Sequence, residues 1–182
     1  MITRYPRAMT TPSPAATAFA LSARTLCGAL MGALVFFGVA LFFVLGTDAT
    51  PPVWVLLVQL GVGVAIHLAV EAAGYRAEPL DPSMSDEDAA SAGRVRWQSS
   101  MMLRFALIEV VAIGSLVAAF IIDGGVWTYA VGAVVSLALM VLHVWPGARS
   151  VNKTAEALEA NGQASFLRET FNVATPGPIQ QF

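Results

Sequence analysis

Long apolar stretches, separated by short polar breaks, dominate the chain. They lie at about residues 26–45, 53–73, 101–122 and 126–145. A helix of about 20 apolar residues covers the hydrocarbon core of a bilayer, so each stretch predicts one membrane-spanning helix. Gly and β-branched residues, which would weaken a soluble helix, are tolerated because a span satisfies its backbone hydrogen bonds internally. The pattern therefore predicts an all-α fold, an integral membrane four-helix bundle.

The polar breaks define how the spans are connected. The first hairpin turns at residues 47–52, which end in Pro-Pro, and the second turns at Asp123-Gly124-Gly125. A longer loop, residues 75–100, joins spans two and three. Within it Ser85 precedes three acidic residues, which is typical of a helix N-cap with acids in its first turn. We expect a short surface helix to begin there and to continue into the third span.

The regions outside the bundle differ in character. Residues 1–22 are rich in Thr, Pro and Ala, and we expect a mobile arm there. The bundle would then cover residues 23–147, and residues 148–182 would form a tail. The tail begins with a helical pattern that places Val151, Ala155 and Leu158 on one side, which predicts a short amphipathic helix.

A second short segment of the tail, residues 165–171, carries three large apolar side chains: Phe166, Leu167 and Phe171. Two interpretations are open. These side chains contact a partner or the membrane surface, or the tail packs on its own bundle.

The basic residues set the expected orientation. The two short loops carry Asp48 and Asp123 and no Lys or Arg. Every basic residue lies on the other side of the predicted membrane or within one turn of it: Arg4, Arg7, Arg24, Arg76, Arg94, Arg96, Arg104, Arg149, Lys153 and Arg168. The positive-inside rule then places both termini and the middle loop in the cytoplasm, an N-in/C-in topology.

The four tryptophans agree with this topology. Trp54 and Trp127 fall at the predicted outer boundary, and Trp97 and Trp145 fall at the inner one. Tryptophan is enriched at both membrane–water interfaces, so we expect all four in aromatic belts.

Composition excludes some classes of function but does not identify one. Hydrophobic residues make up 57% of the 182 and charged residues only 12%, and the mean hydropathy is +0.69. A net charge of −2 gives no reason to expect nucleic acid as a partner. The single cysteine, Cys27, excludes an internal disulfide. No nucleophile–base pair, metal motif or phosphate loop is present, so we expect no enzyme activity and no cofactor.

Ionisable residues inside a membrane invite functional hypotheses because they are costly to bury there. The predicted spans contain five of them: His67, Glu71, Arg104, Glu109 and His143. All lie in the predicted inner half, so a polar network is geometrically feasible. His67 and Glu71 are four residues apart and share a helix face. Arg104 and Glu109 are about 140° apart around their helix and cannot face one point.

Simpler roles compete with that network. Arg104 and Glu71 would reach the interface or form a structural pair, and His143 would anchor the end of span four. Glu109 lies deepest, and a hydrogen-bonded structural carboxyl is the simplest role for it. A metal site of His67, Glu71 and Glu109 has suitable ligand types but no motif, and we disfavour it.

Small residues recur at the spacing that lets helices approach closely. Gly28 and Gly32 form a GxxxG pattern in span one, and Gly132 with Ser136 repeats the spacing in span four. These positions predict helix packing, within the bundle or against another subunit.

One stretch resembles a known family. Arg104 to Glu109, followed by the apolar run from Val110 to Phe120, is similar to the second helix of rotor-ring proteolipids of rotary ATP synthases. Gly61 and Gly63 in the preceding span resemble the glycine-rich first helix of those proteins. The resemblance covers about a third of the chain and implies an ion-carrying role for Glu109. The long middle loop and the two additional spans depart from that family.

The whole pattern more closely resembles small four-span bacterial membrane proteins of actinobacterial type. The resemblance rests on the polar middle loop and on the spacing of Gln98, Arg104 and Glu109. It implies a fold and a bacterial cytoplasmic membrane, and it implies no chemistry.

Two functional hypotheses result. The first is a non-catalytic accessory subunit or assembly factor of a larger membrane complex, respiratory or transport-related, with other membrane subunits and lipid as partners. Small size, short outer loops and the GxxxG pattern motivate it. The alternative is ion or proton translocation that uses Glu109.

Overall fold

The computed structural model describes residues 13–174. Within them lie six α-helices and one π-helical turn, Val70–Gly74, which extends the second helix. The helices are α1 (Pro14–Leu45), α2 (Val53–Ala69), α3 (Asp86–Ile121), α4 (Gly125–His143), α5 (Ala148–Leu158) and α6 (Leu167–Phe171). Four of them, α1, α2 with its π turn, α3 and α4, are long and apolar enough to cross a membrane. The prediction of an all-helical fold with four helices able to span a membrane is confirmed for the described residues.

The first helix begins earlier than the sequence pattern indicated. Ser13 caps it by accepting a hydrogen bond from the Ala16 amide at 3.2 Å, and Pro14 stands in its first turn. Residues 14–22, expected as part of a mobile arm, are therefore helical, because a capping serine followed by proline starts a helix well. Residues 1–12 lie outside the described chain. At 32 residues α1 is about 48 Å long and extends beyond a bilayer core.

The third helix begins where its capping pattern indicates. The Ser85 hydroxyl accepts a hydrogen bond from the Asp88 amide at 3.2 Å, and acidic residues fill the first turn. The helix then runs without a break for 36 residues, so the predicted surface helix and the third span are one element.

The bundle is built around the α3–α4 hairpin, which forms the most extensive helix–helix contact. Gly132 lies directly against Ser115, and the Ser136 hydroxyl donates to the Ile108 carbonyl at 3.2 Å. Helix α2 packs against both α3 and α4, whereas α1 packs mainly against α4. The two central helices can therefore approach closely at Gly132, because this residue has no side chain.

Gly28 and Gly32 lie differently. A Cβ atom built at either position would meet no other atom within 4 Å. Their predicted packing within the bundle is not found, because α1 presents Cys27 and Leu34 to its neighbours and turns both glycines outward. Their contact with another subunit stays a prediction.

The tail packs on its own bundle. Val151, Ala155 and Leu158 of α5 are fully buried, as is Leu167 of α6. The Leu158 carbonyl also accepts a hydrogen bond from the Leu80 amide at 2.8 Å, which ties the tail to the middle loop.

Trp97 corrects the aromatic-belt prediction. Its ring is fully buried between Phe19 of α1 and Phe171 of α6, at centroid distances of 6.1 and 4.6 Å. Because α6 covers this position, Trp97 is a core residue. The other tryptophans, Trp54, Trp127 and Trp145, are substantially exposed on the bundle surface.

Candidate functional site

Polar side chains converge at the end of the bundle where α2 and α4 finish and α5 begins. The i, i+4 spacing puts His67 of α2 and Glu71 of the following π turn on one side of the second span, and His143 ends α4 beside them. We call this group the polar cluster; it comprises His67, Glu71, Tyr75, Arg104, His143, Arg149 and Lys153.

A π-helical turn shapes one wall of the cluster. Glu71 lies within the turn, and Tyr75 comes directly after it and is 7% exposed. A π turn adds a residue to the helical repeat and so rotates the residues after it, and such turns are frequent at functional sites. Here it brings the Tyr75 ring inward.

Three rings form a hydrogen-bonded chain in the cluster. His67 Nδ1 lies 2.9 Å from His143 Nε2, and the Tyr75 hydroxyl lies 2.8 Å from His143 Nδ1. His143 is fully buried, so both of its ring nitrogens have partners inside the protein. Burial raises the pKa of Tyr75, which keeps its hydroxyl protonated. The chain can therefore be polarised in either direction, depending on the histidine tautomers.

Glu71 links span two to the tail. Its two carboxylate oxygens accept hydrogen bonds from Arg149, at 2.8 Å, and from Lys153. Oε1 also lies 3.6 Å from His143 Nδ1. The hydrogen bond to Glu71 raises the pKa of Arg149 above its ordinary value. This carboxylate is thus the point where α5 is joined to the membrane-spanning part of the chain.

Arg104 is buried inside the protein and does not reach the interface. It is 0% exposed, and its Nη1 donates to the Gly74 carbonyl and to the hydroxyls of Ser100 and Thr154 at 3.0–3.4 Å. Its guanidinium stacks over the Tyr75 ring at 4.4 Å from the centroid. Among the residues described, Nε and Nη2 have no hydrogen-bond partner. The prediction for Arg104, that it would reach the interface or pair with Glu71, is therefore wrong, and its hydrogen bonds instead join the π turn, α3 and α5.

Glu109 does not join the polar cluster. Its side chain is partly exposed and makes no hydrogen bond or ion pair with any residue in the described range 13–174. Glu109 lies outside the cluster because it is about 140° from Arg104 around α3, and Arg104 is on the side of α3 that faces α2. The structure therefore brings together four of the five predicted residues and leaves Glu109 apart, which also removes the His67, Glu71 and Glu109 metal site.

A different triad has ligand atoms within 4.8 Å of one another: His67, Glu71 and His143. Two histidines and a carboxylate are a ligand set that zinc accepts. Glu71, however, already neutralises part of the charge of Arg149 and Lys153, and Arg104 lies just beyond Tyr75. Because the local charge is already positive, a further cation would be repelled, and we do not assign a metal to the triad.

Sequence reasoning missed Tyr75, Arg149 and Lys153. Each had a periodic signal, since Tyr75 lies four residues after Glu71 and the two basic residues are four apart at the start of the tail helix. The same spacing also extends from Glu71 and His67 back to Gln59. The Gln59 amide donates to the Ser115 hydroxyl at 2.9 Å and the Thr128 carbonyl at 2.7 Å, forming a smaller polar contact among α2, α3 and α4.

Replacing Glu71 with glutamine tests the link between α2 and α5. Glu71→Gln keeps the shape of the side chain and removes its charge, so docking of α5 should weaken by about 1 kcal/mol. Trypsin cleavage after Lys153 should become roughly five-fold faster, because the locally opened state is more populated. Glu156→Gln, on the exposed side of α5, is the matched control and should leave the rate unchanged. Equal rates for both variants would contradict the assigned link.

No family model, no curated protein and no solved structure matches this chain. Comparison with known proteins therefore assigns no role to the polar cluster.

Proposed function

We propose that this protein is a non-catalytic accessory subunit or assembly factor of a larger membrane complex, of the respiratory or transport type. The observation that carries the proposal is Glu109, a partly exposed carboxyl within a membrane-spanning helix that makes no hydrogen bond or ion pair with the described residues. Such a group is costly in hydrocarbon and is stabilised by a hydrogen-bond donor. We infer that a span of a neighbouring subunit supplies the donor.

The polar cluster supports a structural role for the remaining charged groups. Glu71 is held by two cations from α5, and His143 is held by Tyr75 and His67. These bonds join α2, α4 and α5 to one another. A site that binds a substrate needs polar atoms directed at an open cavity, whereas these are directed at each other.

The first helix supports the same proposal. Only 11% of its most apolar 18-residue stretch is buried, against 39% in α3 and 44% in α4. Gly28 and Gly32 lie on its outward side, and another helix can approach closely at these two positions. In this proposal α1 has a second surface for a subunit in addition to the one around Glu109.

The proposed setting is the bacterial cytoplasmic membrane, with both termini in the cytoplasm. The distribution of basic residues supports this orientation, because the two short loops contain Asp48 and Asp123 and no Lys or Arg. The polar cluster and the tail would then face the cytoplasm.

Two substitutions at Glu109 test the proposal. An amide can still accept a hydrogen bond from a partner, whereas leucine cannot. Glu109→Gln should therefore keep the complex, and Glu109→Leu should lower the stoichiometric yield of co-purified subunits about tenfold after mild detergent extraction. Val110→Leu is the control, since Val110 is an exposed apolar residue at the same depth. Subunit stoichiometry is measured by quantitative mass spectrometry of the native complex.

The ion-translocation alternative predicts that the same two variants behave alike in a flux assay. An ion carrier needs a titratable carboxyl, so Glu109→Gln would abolish ion flux into proteoliposomes as completely as Glu109→Leu. Intact complexes with Glu109→Gln and their loss with Glu109→Leu support the accessory role. A monodisperse monomer without co-purified subunits, or flux that disappears in both variants, would overturn it.

A further inference from the structure

A shallow groove opens on the surface of the bundle where α4 ends and α5 begins. Its volume is about 380 Å³, and its apolar floor is formed by Ala138, Val141 and Leu142. Trp145 and Arg149 line the end nearest the tail. Val141 is 58% exposed and Trp145 39% exposed, so the described chain leaves this surface open.

The groove ends at a positive charge that is fixed in place. Arg149 donates one hydrogen bond to Glu71 and keeps 45% of its side chain exposed. Lys153, one turn further along α5, binds the other oxygen of the same carboxylate. Two cations therefore share one anion, and one positive charge remains in excess. Glu71 orients Arg149 without neutralising the pair.

In the predicted four-span topology, the groove runs from the apolar part of span four to its polar end. Ala138 and Trp145 are seven residues apart, or about 10 Å along a helix. Trp145 lies just beyond the end of α4, at the level where tryptophan marks the membrane–water interface. A molecule that fills the groove therefore has an apolar portion along α4 and a negative group beside Arg149.

We propose that this groove binds an anionic phospholipid. One acyl chain lies against Ala138, Val141 and Leu142, and the phosphate of the headgroup contacts Arg149. Charge complementarity selects the lipid class: a zwitterionic lipid makes the same apolar contacts, but its headgroup has no net charge to interact with the excess cation. The site is independent of Glu109 and of any partner subunit.

Trp145 provides the probe for a direct test. The chain has four tryptophans, and Trp97 is fully buried, so Trp54→Phe with Trp127→Phe leaves Trp145 as the membrane-accessible fluorophore. The full chain is reconstituted in mixtures of brominated phosphatidylglycerol and unbrominated phosphatidylcholine, and then in the reverse labelling. Quenching of Trp145 by the two brominated lipids gives their relative binding constant.

We expect phosphatidylglycerol to be preferred roughly five-fold at Trp145. Arg149→Gln should bring the ratio close to one, whereas Arg76→Gln, which removes an exposed cation outside the groove, should leave it unchanged. Ala138→Phe fills the apolar floor without touching the ion pairs and should reduce quenching by either lipid. Equal quenching by both lipids in the parent chain, or an unchanged ratio in Arg149→Gln, would overturn the proposal.

Discussion

Replacing Gly132 with alanine is expected to lower the free energy of unfolding by about 3 kcal/mol. The new Cβ would overlap the Ser115 hydroxyl and lie 3.3 Å from the Val111 carbonyl. Neither group can move aside easily, because the Ser115 hydroxyl donates to that same carbonyl at 2.7 Å. The α3–α4 hairpin must therefore separate. Reversible unfolding of the purified protein in mixed micelles, followed by circular dichroism, measures the effect.

Gly32→Ala is the matched control for Gly132→Ala. Both glycines lie in membrane-spanning helices, but a Cβ at Gly32 meets nothing within 4 Å. The stability of this variant should stay the same or rise by up to about 1 kcal/mol, since alanine favours a helix over glycine. If Gly132→Ala unfolds at the same denaturant concentration as Gly32→Ala, the assigned contact between α3 and α4 is wrong.

Replacing Trp97 with alanine should destabilise the packing of the tail by as much as Gly132→Ala destabilises the bundle, or by more. Removing a fully buried aromatic side chain costs about 3–5 kcal/mol, because the contacts are lost and a cavity remains. Trp97 packs against Phe171 of α6 and Phe19 of α1, so both segments lose a large shared contact, while the direct Phe19–Phe171 contact and the Arg24 hydrogen bond to the Phe171 carbonyl remain. We expect α6 to open more often, which should make the chain after residue 158 more sensitive to protease while the spans stay folded.

Trp54→Ala separates this result from a general effect of losing tryptophan. Trp54 is 57% exposed at the opposite end of the bundle, so its removal should leave proteolysis of the tail at the parental rate. Cleavage sites located by mass spectrometry distinguish the two variants. A tail that stays resistant in Trp97→Ala would show that Phe171 is held by other contacts.

Local signals explain the parts of the fold that the sequence predicted well. The four spans are predicted by apolar length alone, and the start of α3 is predicted by Ser85 and the acidic residues after it. The spacing of Val151, Ala155 and Leu158 predicts the buried side of α5. These features depend on residues close together in the sequence.

The remaining features depend on the rotation of helices about their axes. Gly28 and Gly32 have the same spacing as Gly132 and Ser136, yet only the second pair meets a neighbouring helix. Spacing shows which residues share a helix face but not what that face contacts. Trp97 likewise has the position of an interfacial residue in the sequence, and only the fold shows that α6 covers it.

Only part of the candidate site was predicted, because spacing in the sequence does not show how the helices are rotated about their axes. The sequence placed His67, Glu71 and His143 in the same half of the predicted membrane, and their ligand atoms do lie within 4.8 Å of one another. The π turn that moves Tyr75 inward has no clear signature in the sequence. The 140° separation of Arg104 and Glu109 predicted that the two would not share one site, but it did not show that Glu109 would be the one outside the cluster.

The link between Glu71 and α5 has a consequence for how the protein is made. Glu71 is synthesised about 80 residues before its two cations, Arg149 and Lys153, which lie 78 and 82 positions later. A ribosome adds roughly 5–20 residues per second, so this carboxyl waits several seconds or longer without its final partners. The second span is therefore synthesised before the groups that hold its end exist. Closure of that end of the bundle becomes one of the last steps of biogenesis.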